Sequence, residues 1–215
     1  MDTKDFDQSV VAAVFDQAGL VGWRATTLVE AARAAGIDDL ARLRLRFPGK
    51  TAVLLRFGTL ADQGALSALQ PDGTPREKLF DLLMARFDLL QRHRDGVAAL
   101  MSALPADPAT AALLWTATLR SMRWMLDAAG VPIEGLTGLL RIHGLAAVWA
   151  YALRAWERDE GADLPATMAA VDRALDQAMR AEAMLPGHRT IETPEQPQIL
   201  SGTEIAAAED GPAVL

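Results

Sequence analysis

Cysteine is absent from this 215-residue chain, tyrosine occurs once and histidine three times. Without thiols there is no disulfide framework, no thiolate metal site and no sulfur nucleophile, a composition that suits a reducing compartment. His93 and His188 have no second ligand at metal spacing, so neither a metal nor another cofactor is expected. No apolar run approaches the roughly 20 residues that a spanning helix needs. No basic-apolar-small leader opens the chain, which makes a cytoplasmic protein without a membrane span the expectation. Nucleophile elbows, phosphate loops and paired-histidine motifs are missing too, so no enzyme is expected.

Positive charge is also in short supply. The formal net charge is −7, and it is unevenly placed. Residues 1–57 hold eight Lys/Arg against seven Asp/Glu, residues 58–185 twelve against sixteen, and residues 186–215 one against five. Affinity for nucleic acid comes largely from neutralising phosphates. Any contact with DNA therefore belongs to the first block, through a small basic face.

Helical periodicity runs almost throughout, and strand-like alternation does not stand out. Val10, Val14, Phe15 and Ala18 mark a first helix, ended by Gly19 and Gly22. Two short helices fill residues 27–47, and a longer one runs from Lys50 to about Leu69. Pro75 opens the next at a favoured first-turn position. A short segment spans Val97–Leu104, and long helices cover 109–129, from Pro132 to about Asp159, and 164–185. The pattern predicts an all-α chain of about nine helices. Its parts are a three-helix head over 1–57, a larger helical body over 58–185, and a disordered acidic tail over 186–215.

The two short helices have the layout of a helix-turn-helix. Thr27 is placed to cap the first, with Glu30 at capping-box spacing. Gly36 supplies the break, and Asp38 is placed to cap the second. On a 100° wheel, Leu40, Leu43 and Phe47 share a buried face, and Arg42 and Arg46 point away from it with Asp38, Asp39 and Leu45. Arg44 lies beside the buried face. Arginine forks suit guanine edges and phosphates, and Lys50 is a phosphate anchor at the next helix start. The expected DNA-contacting set is thus Thr27, Asp38, Arg42, Arg46 and Lys50. The alternative is a structural bundle whose charged face is merely solvated, and the two aspartates favour it.

Two further constellations lie in the body. Met101, Trp115, Met122, Met125 and His143 supply polarizable, adaptable side chains suited to a small apolar effector or lipid; the same residues can equally be core. On the penultimate helix, Ile142, Leu145, Trp149, Leu153 and Trp156 form one apolar stripe, and His143, Ala146, Ala147 and Ala150 another. A helix apolar on two sides needs two partners. With Met168, Val171 and Leu175 of the last helix, Trp149, Leu153 and Trp156 are the expected homodimer seam. A monomeric bundle with a thick core is the alternative.

The order of parts resembles the TetR family of transcriptional regulators. The resemblance rests on Ala12-Ala13 and Phe15, Gly22-Trp23, Ala25-Thr26-Thr27, Ala31-Ala32, Ala35-Gly36-Ile37 and Phe47-Pro48-Gly49-Lys50. It implies a homodimeric repressor that binds duplex operator DNA through the head and answers a small apolar effector in the body. The recognition helix departs from the family pattern: Asp38-Asp39, Leu40 and Arg44 stand where a small polar residue, a glycine and a tyrosine are usual. A second, more diffuse resemblance is to the TetR-fold lipid-binding proteins of ubiquinone biosynthesis. It is carried by the Gly22-Trp23 entry and the acidic turn Trp156-Glu157-Arg158-Asp159-Glu160-Gly161-Ala162-Asp163-Leu164-Pro165. It implies lipid or isoprenoid binding on a scaffold that does not bind DNA.

Overall fold

A computed structural model describes residues 2–184; the expected acidic tail lies outside the described residues. Nine α-helices and no strand are found among these residues: α1 (Thr3–Val21), α2 (Leu28–Ala34), α3 (Leu40–Arg46), α4 (Lys50–Ala68), α5 (Pro75–Arg92), α6 (Arg94–Ala103), α7 (Pro108–Ala128), α8 (Gly135–Trp156) and α9 (Pro165–Ala183). A single 3-10 turn, Leu104–Ala106, joins α6 to α7.

Local chemistry sets most of the helix ends. Asp2, Thr27, Asp39, Thr74 and Asp107 each accept an amide donor of the helix they precede, satisfying one of the orphaned N–H groups there. The cap of α3 is Asp39 and not Asp38, because the helix begins at Leu40 and Asp39 accepts the Arg42 amide at 2.9 Å. Thr74 and Glu77 form a full reciprocal capping box, which the Thr-x-x-Glu spacing in the sequence encodes. Gly36, at φ +69°, takes the left-handed conformation that ends α2.

One continuous hydrophobic core runs from the head into the body. In the head, Phe15 of α1 lies 4.3 Å, centroid to centroid, from Phe57 of α4 and 5.8 Å from Trp23. Further on, α1 packs along α6, α4 against α5 and α7, and α8 against α7 and α9. The expected boundary at residue 57 falls inside α4, so this helix belongs to both parts.

Among the described residues one helix, α8, is long and apolar enough to cross a membrane by length and composition, with mean hydropathy 1.3. That corrects the expectation that no such stretch exists. Its cause is the apolar character of both sides: the side bearing Ile142, Leu145, Trp149 and Trp156 is buried in the bundle, and Leu136, Leu139, Leu140 and Tyr151 are exposed.

His93 sits at the α5–α6 corner between the rings of Phe15 and Phe57. Burial pushes its pKa below the usual histidine value, against the opposing pull of Asp16 at 3.8 Å. The neutral form is therefore the one the fold favours. Its contribution to stability is complete above the unfolded pKa near 6.5 and is lost as pH falls from there through the lowered folded value. Denaturation midpoints measured from pH 7.5 to 5 should fall, and His93→Phe should flatten that part of the profile.

Candidate functional site

The head has the arrangement of a helix-turn-helix, α2 and α3 being held against α1 and α4 by Ala31, Ala32, Ile37, Leu43 and Phe47, all buried. Thr27 caps α2: its oxygen accepts the Glu30 amide and its hydroxyl donates to the Glu30 carboxylate at 2.8 Å. Leu43 and Phe47 face inward as the wheel requires.

The arginines take other positions than the wheel alone suggests. Arg42 turns toward α1, its guanidinium 4.3 Å from the Phe6 ring centroid and donating to the Asp2 carbonyl. Arg46 donates from Nε and one terminal nitrogen to Asp7 at 3.1 and 2.5 Å. Asp7 is fully buried and also pairs with Arg56 of α4 at 2.8 Å. This pairing raises the pKa of Arg46 and pins the end of α3 onto α1. Arg44, expected at the edge of the buried face, is exposed and donates to the Pro48 carbonyl. The exposed residues of α3 are consequently Ala41, Arg44, Leu45 and, with its guanidinium held by Asp7, Arg46; Leu45 is 83% exposed. The Asp7 hub has a signal in the sequence: an aspartate one helical turn ahead of Val10 and Val11 falls on the buried side of α1.

Lys50 is turned inward as well. Its ammonium donates to the Trp23 carbonyl at 2.7 Å and lies 5.3 Å from that indole's centroid. Partial burial lowers its pKa.

In the body, the five expected effector-binding residues are not gathered around one space. Met122 and Met125 are sealed in the core, Met101 is half-buried, and Trp115 and His143 are exposed. A cavity of about 240 Å³ lies at the junction of head and body, and another of about 400 Å³ is lined by residues 72–81 and Asp172; none of the five lines either. Among the described residues no cluster suited to a metal ion is present.

The expected dimer seam is largely claimed by the subunit's own core. Trp149 stacks on Phe87 at 4.5 Å, and the Trp156 indole donates to Gln91 at 3.0 Å. Val171 and Leu175 are buried, Leu153 is half-buried and Met168 is 43% exposed. The open apolar face of α8 is the other one: Leu136, Leu140, His143, Ala147 and Tyr151, spaced at three and four residues.

The acidic turn before α9 is a structural device. The buried Asp159 carboxylate accepts the Thr167 amide at 2.7 Å, its hydroxyl at 2.9 Å and the Gly161 amide at 3.2 Å. Burial alone would raise its pKa, yet these donors hold it below the ordinary value. Within the same turn Leu164 takes the left-handed conformation, at φ +51°.

No protein-family model matches the chain, and no curated protein matches it. Solved structures do. A TetR transcriptional regulator from Nitrosomonas europaea ATCC 19718 superposes with a TM-score of 0.67 at 22% identity, over 82% of this chain and 99% of that one. This is the fold of the TetR regulators. A second structure with the TetR fold, a transcriptional regulator from Rhodococcus sp. RHA1, matches with a TM-score of 0.54 at 17% identity, over 83% of this chain and 97% of that one. At these identities the likeness is one of fold, extending through head and body alike.

Proposed function

We propose that this chain is a homodimeric, cytoplasmic transcriptional regulator of the TetR type, a repressor that binds operator DNA through residues 1–57 and takes an apolar effector in the body, 58–185. The observation that carries this reading is the head itself. Its second helix is held by a buried face and presents Ala41, Arg44 and Leu45 outward. An arginine fork beside an exposed leucine and alanine suits a guanine next to thymine methyl groups. Arg42, Arg46 and Lys50 set the shape of the head, and Thr27 fixes the start of α2.

Two heads reach successive half-sites only from a dimer. The open α8 face supplies the second-subunit contact, flanked on α9 by Met168 and Met179, both exposed. Leu140→Glu should convert the protein to a monomer, read by sedimentation, and should abolish operator binding. An effector that parts α7 from its neighbours would act on α4 through the Asp62–Ser121 contact, 2.6 Å between oxygens. Such a coupling is typically worth ~1–3 kcal/mol between DNA-competent and incompetent states.

The engagement of Arg42 and Arg46 by α1 and the residue before it, with Asp38 and Asp39 heading α3, favours the second reading: a lipid-handling scaffold that does not bind DNA. Selection of genomic fragments by the purified protein, with native mass spectrometry for bound lipid, separates the two. The regulator enriches a palindromic site and loses affinity steeply with salt. Arg44→Ala with Leu45→Ala then erases the motif, each good base contact being worth ~1–3 kcal/mol. No enrichment at low salt, together with co-purified lipid, would establish the scaffold reading instead.

A further inference from the structure

The cavity at the head–body junction is built from three separate pieces of chain. Trp23 and Arg24 come from the α1–α2 loop, Lys50 and Leu54 from the start of α4, and Leu104 and Asp107 from the entry to α7. Its volume of about 240 Å³ would hold about eight waters at the liquid share of roughly 30 Å³ each, which is the scale of a single-ring molecule.

Charge and shape both discriminate among occupants. Two cations, Arg24 and Lys50, face one carboxylate, Asp107. That carboxylate is already engaged in capping α7, accepting the Thr110 amide at 3.1 Å and its hydroxyl at 2.7 Å. Arg24 is exposed, and its charge adds to the Thr110 hydrogen bonds in holding the Asp107 pKa down, whereas Lys50 has no carboxylate within ion-pair distance among the described residues. The Lys50 ammonium has three donors; one is held by the Trp23 carbonyl and a second reaches the Arg24 carbonyl at 3.5 Å. A partly buried cation without a counter-charge is poorly solvated. Trp23, Leu54, Ala103 and Leu104 give the wall its apolar part, and Thr51 and Thr110 complete it.

We propose that this junction cavity is a binding site for a small organic anion, a carboxylate or phosphate monoester on a ring-sized apolar body, whose charge pairs with Lys50 and Arg24. The bound ligand touches the α1–α2 loop, α4 and the α7 entry together, so it fixes the head relative to the body. The site stands apart from the core methionines Met122 and Met125, and it does not depend on DNA binding.

Calorimetric titration of the full chain without DNA, using benzoate, phenyl phosphate and neutral benzamide, tests the site. Benzoate and phenyl phosphate should bind one per chain, with benzamide at least about tenfold weaker, since charge-assisted hydrogen bonds are the strong ones. Hydrogen exchange should slow at residues 23–24 and 104–110 when either anion is present. Lys50→Gln should weaken the anions about tenfold or more; because Lys50 also holds the Trp23 carbonyl, Ala103→Phe serves as the second variant. It fills the cavity while leaving every charge in place, and a cooperatively folding Ala103→Phe protein should not bind. Three results would overturn the proposal: no heat at about 10 mM anion, a range that already covers millimolar dissociation constants; benzamide binding as tightly as benzoate; or anion affinity unchanged in Ala103→Phe.

Discussion

Asp62→Ala should cost about 3–5 kcal/mol, the range for leaving one member of a buried ion pair unmatched. Arg86 of α5 is only 6% exposed and pairs with Asp62 of α4, which also accepts the Ser121 hydroxyl from α7. The guanidinium lies 4.8 Å from the Trp149 centroid on α8, and its Nε has no hydrogen-bond partner. Burial pulls the pKa of Arg86 down, and Asp62 counters it. With Asp62 gone, a cation remains in an apolar site with only an indole face beside it. In thermal melts the loss should appear as a fall of roughly 6–20 °C, from about 2–4 °C per kcal/mol at this size. The double replacement Asp62→Leu with Arg86→Met should recover most of it, because exchanging both partners for apolar groups removes the desolvation cost along with the attraction. A double variant as unstable as Asp62→Ala would show that the pair does more than neutralise itself.

Gly96→Ala should be strongly destabilising although it adds a single methyl. An added Cβ would lie 2.2 Å from the Phe15 carbonyl oxygen and 2.7 Å from its carbon. Both are backbone atoms of α1, which no side-chain rotation can move aside. Helices α1 and α6 must separate, and the cost should reach the upper end of the overpacking range, about 3 kcal/mol. Gly64→Ala is the control: its Cβ meets nothing within 4 Å, so it should stabilise α4 by about 0.5–1 kcal/mol through helix propensity alone. Chemical denaturation of the two variants measures the contrast.

The helices were legible because their signals are local. Thr27 and Glu30 mark the start of α2, Gly36 its end, and Pro75 the first turn of α5. Leu43 and Phe47 could be assigned inward from spacing alone, and both are buried. The candidate site was less legible. The wheel placed Arg42 and Arg46 away from Leu43 correctly as angles, but outward from α3 is not the same as outward from the protein. Helix α1 reaches that side with Phe6 and the buried Asp7 and takes up both guanidinium groups. Arg44, expected beside the core, is exposed alongside Leu45.

By itself the sequence determined an all-helical chain, the positions of its helices, the helix-turn-helix order of its head and the two apolar stripes of α8. Only the tertiary structure decided which stripe is core: Trp149 meets Phe87 and Arg86, Trp156 meets Gln91 and Arg94, and the Leu136–Tyr151 side is left open. Periodicity reports which residues share a face, because that follows from 3.6 residues per turn. It carries no information on which face meets which neighbour, because that depends on contacts between residues far apart in the chain, such as Asp7 with Arg46 or Asp62 with Arg86 and Ser121.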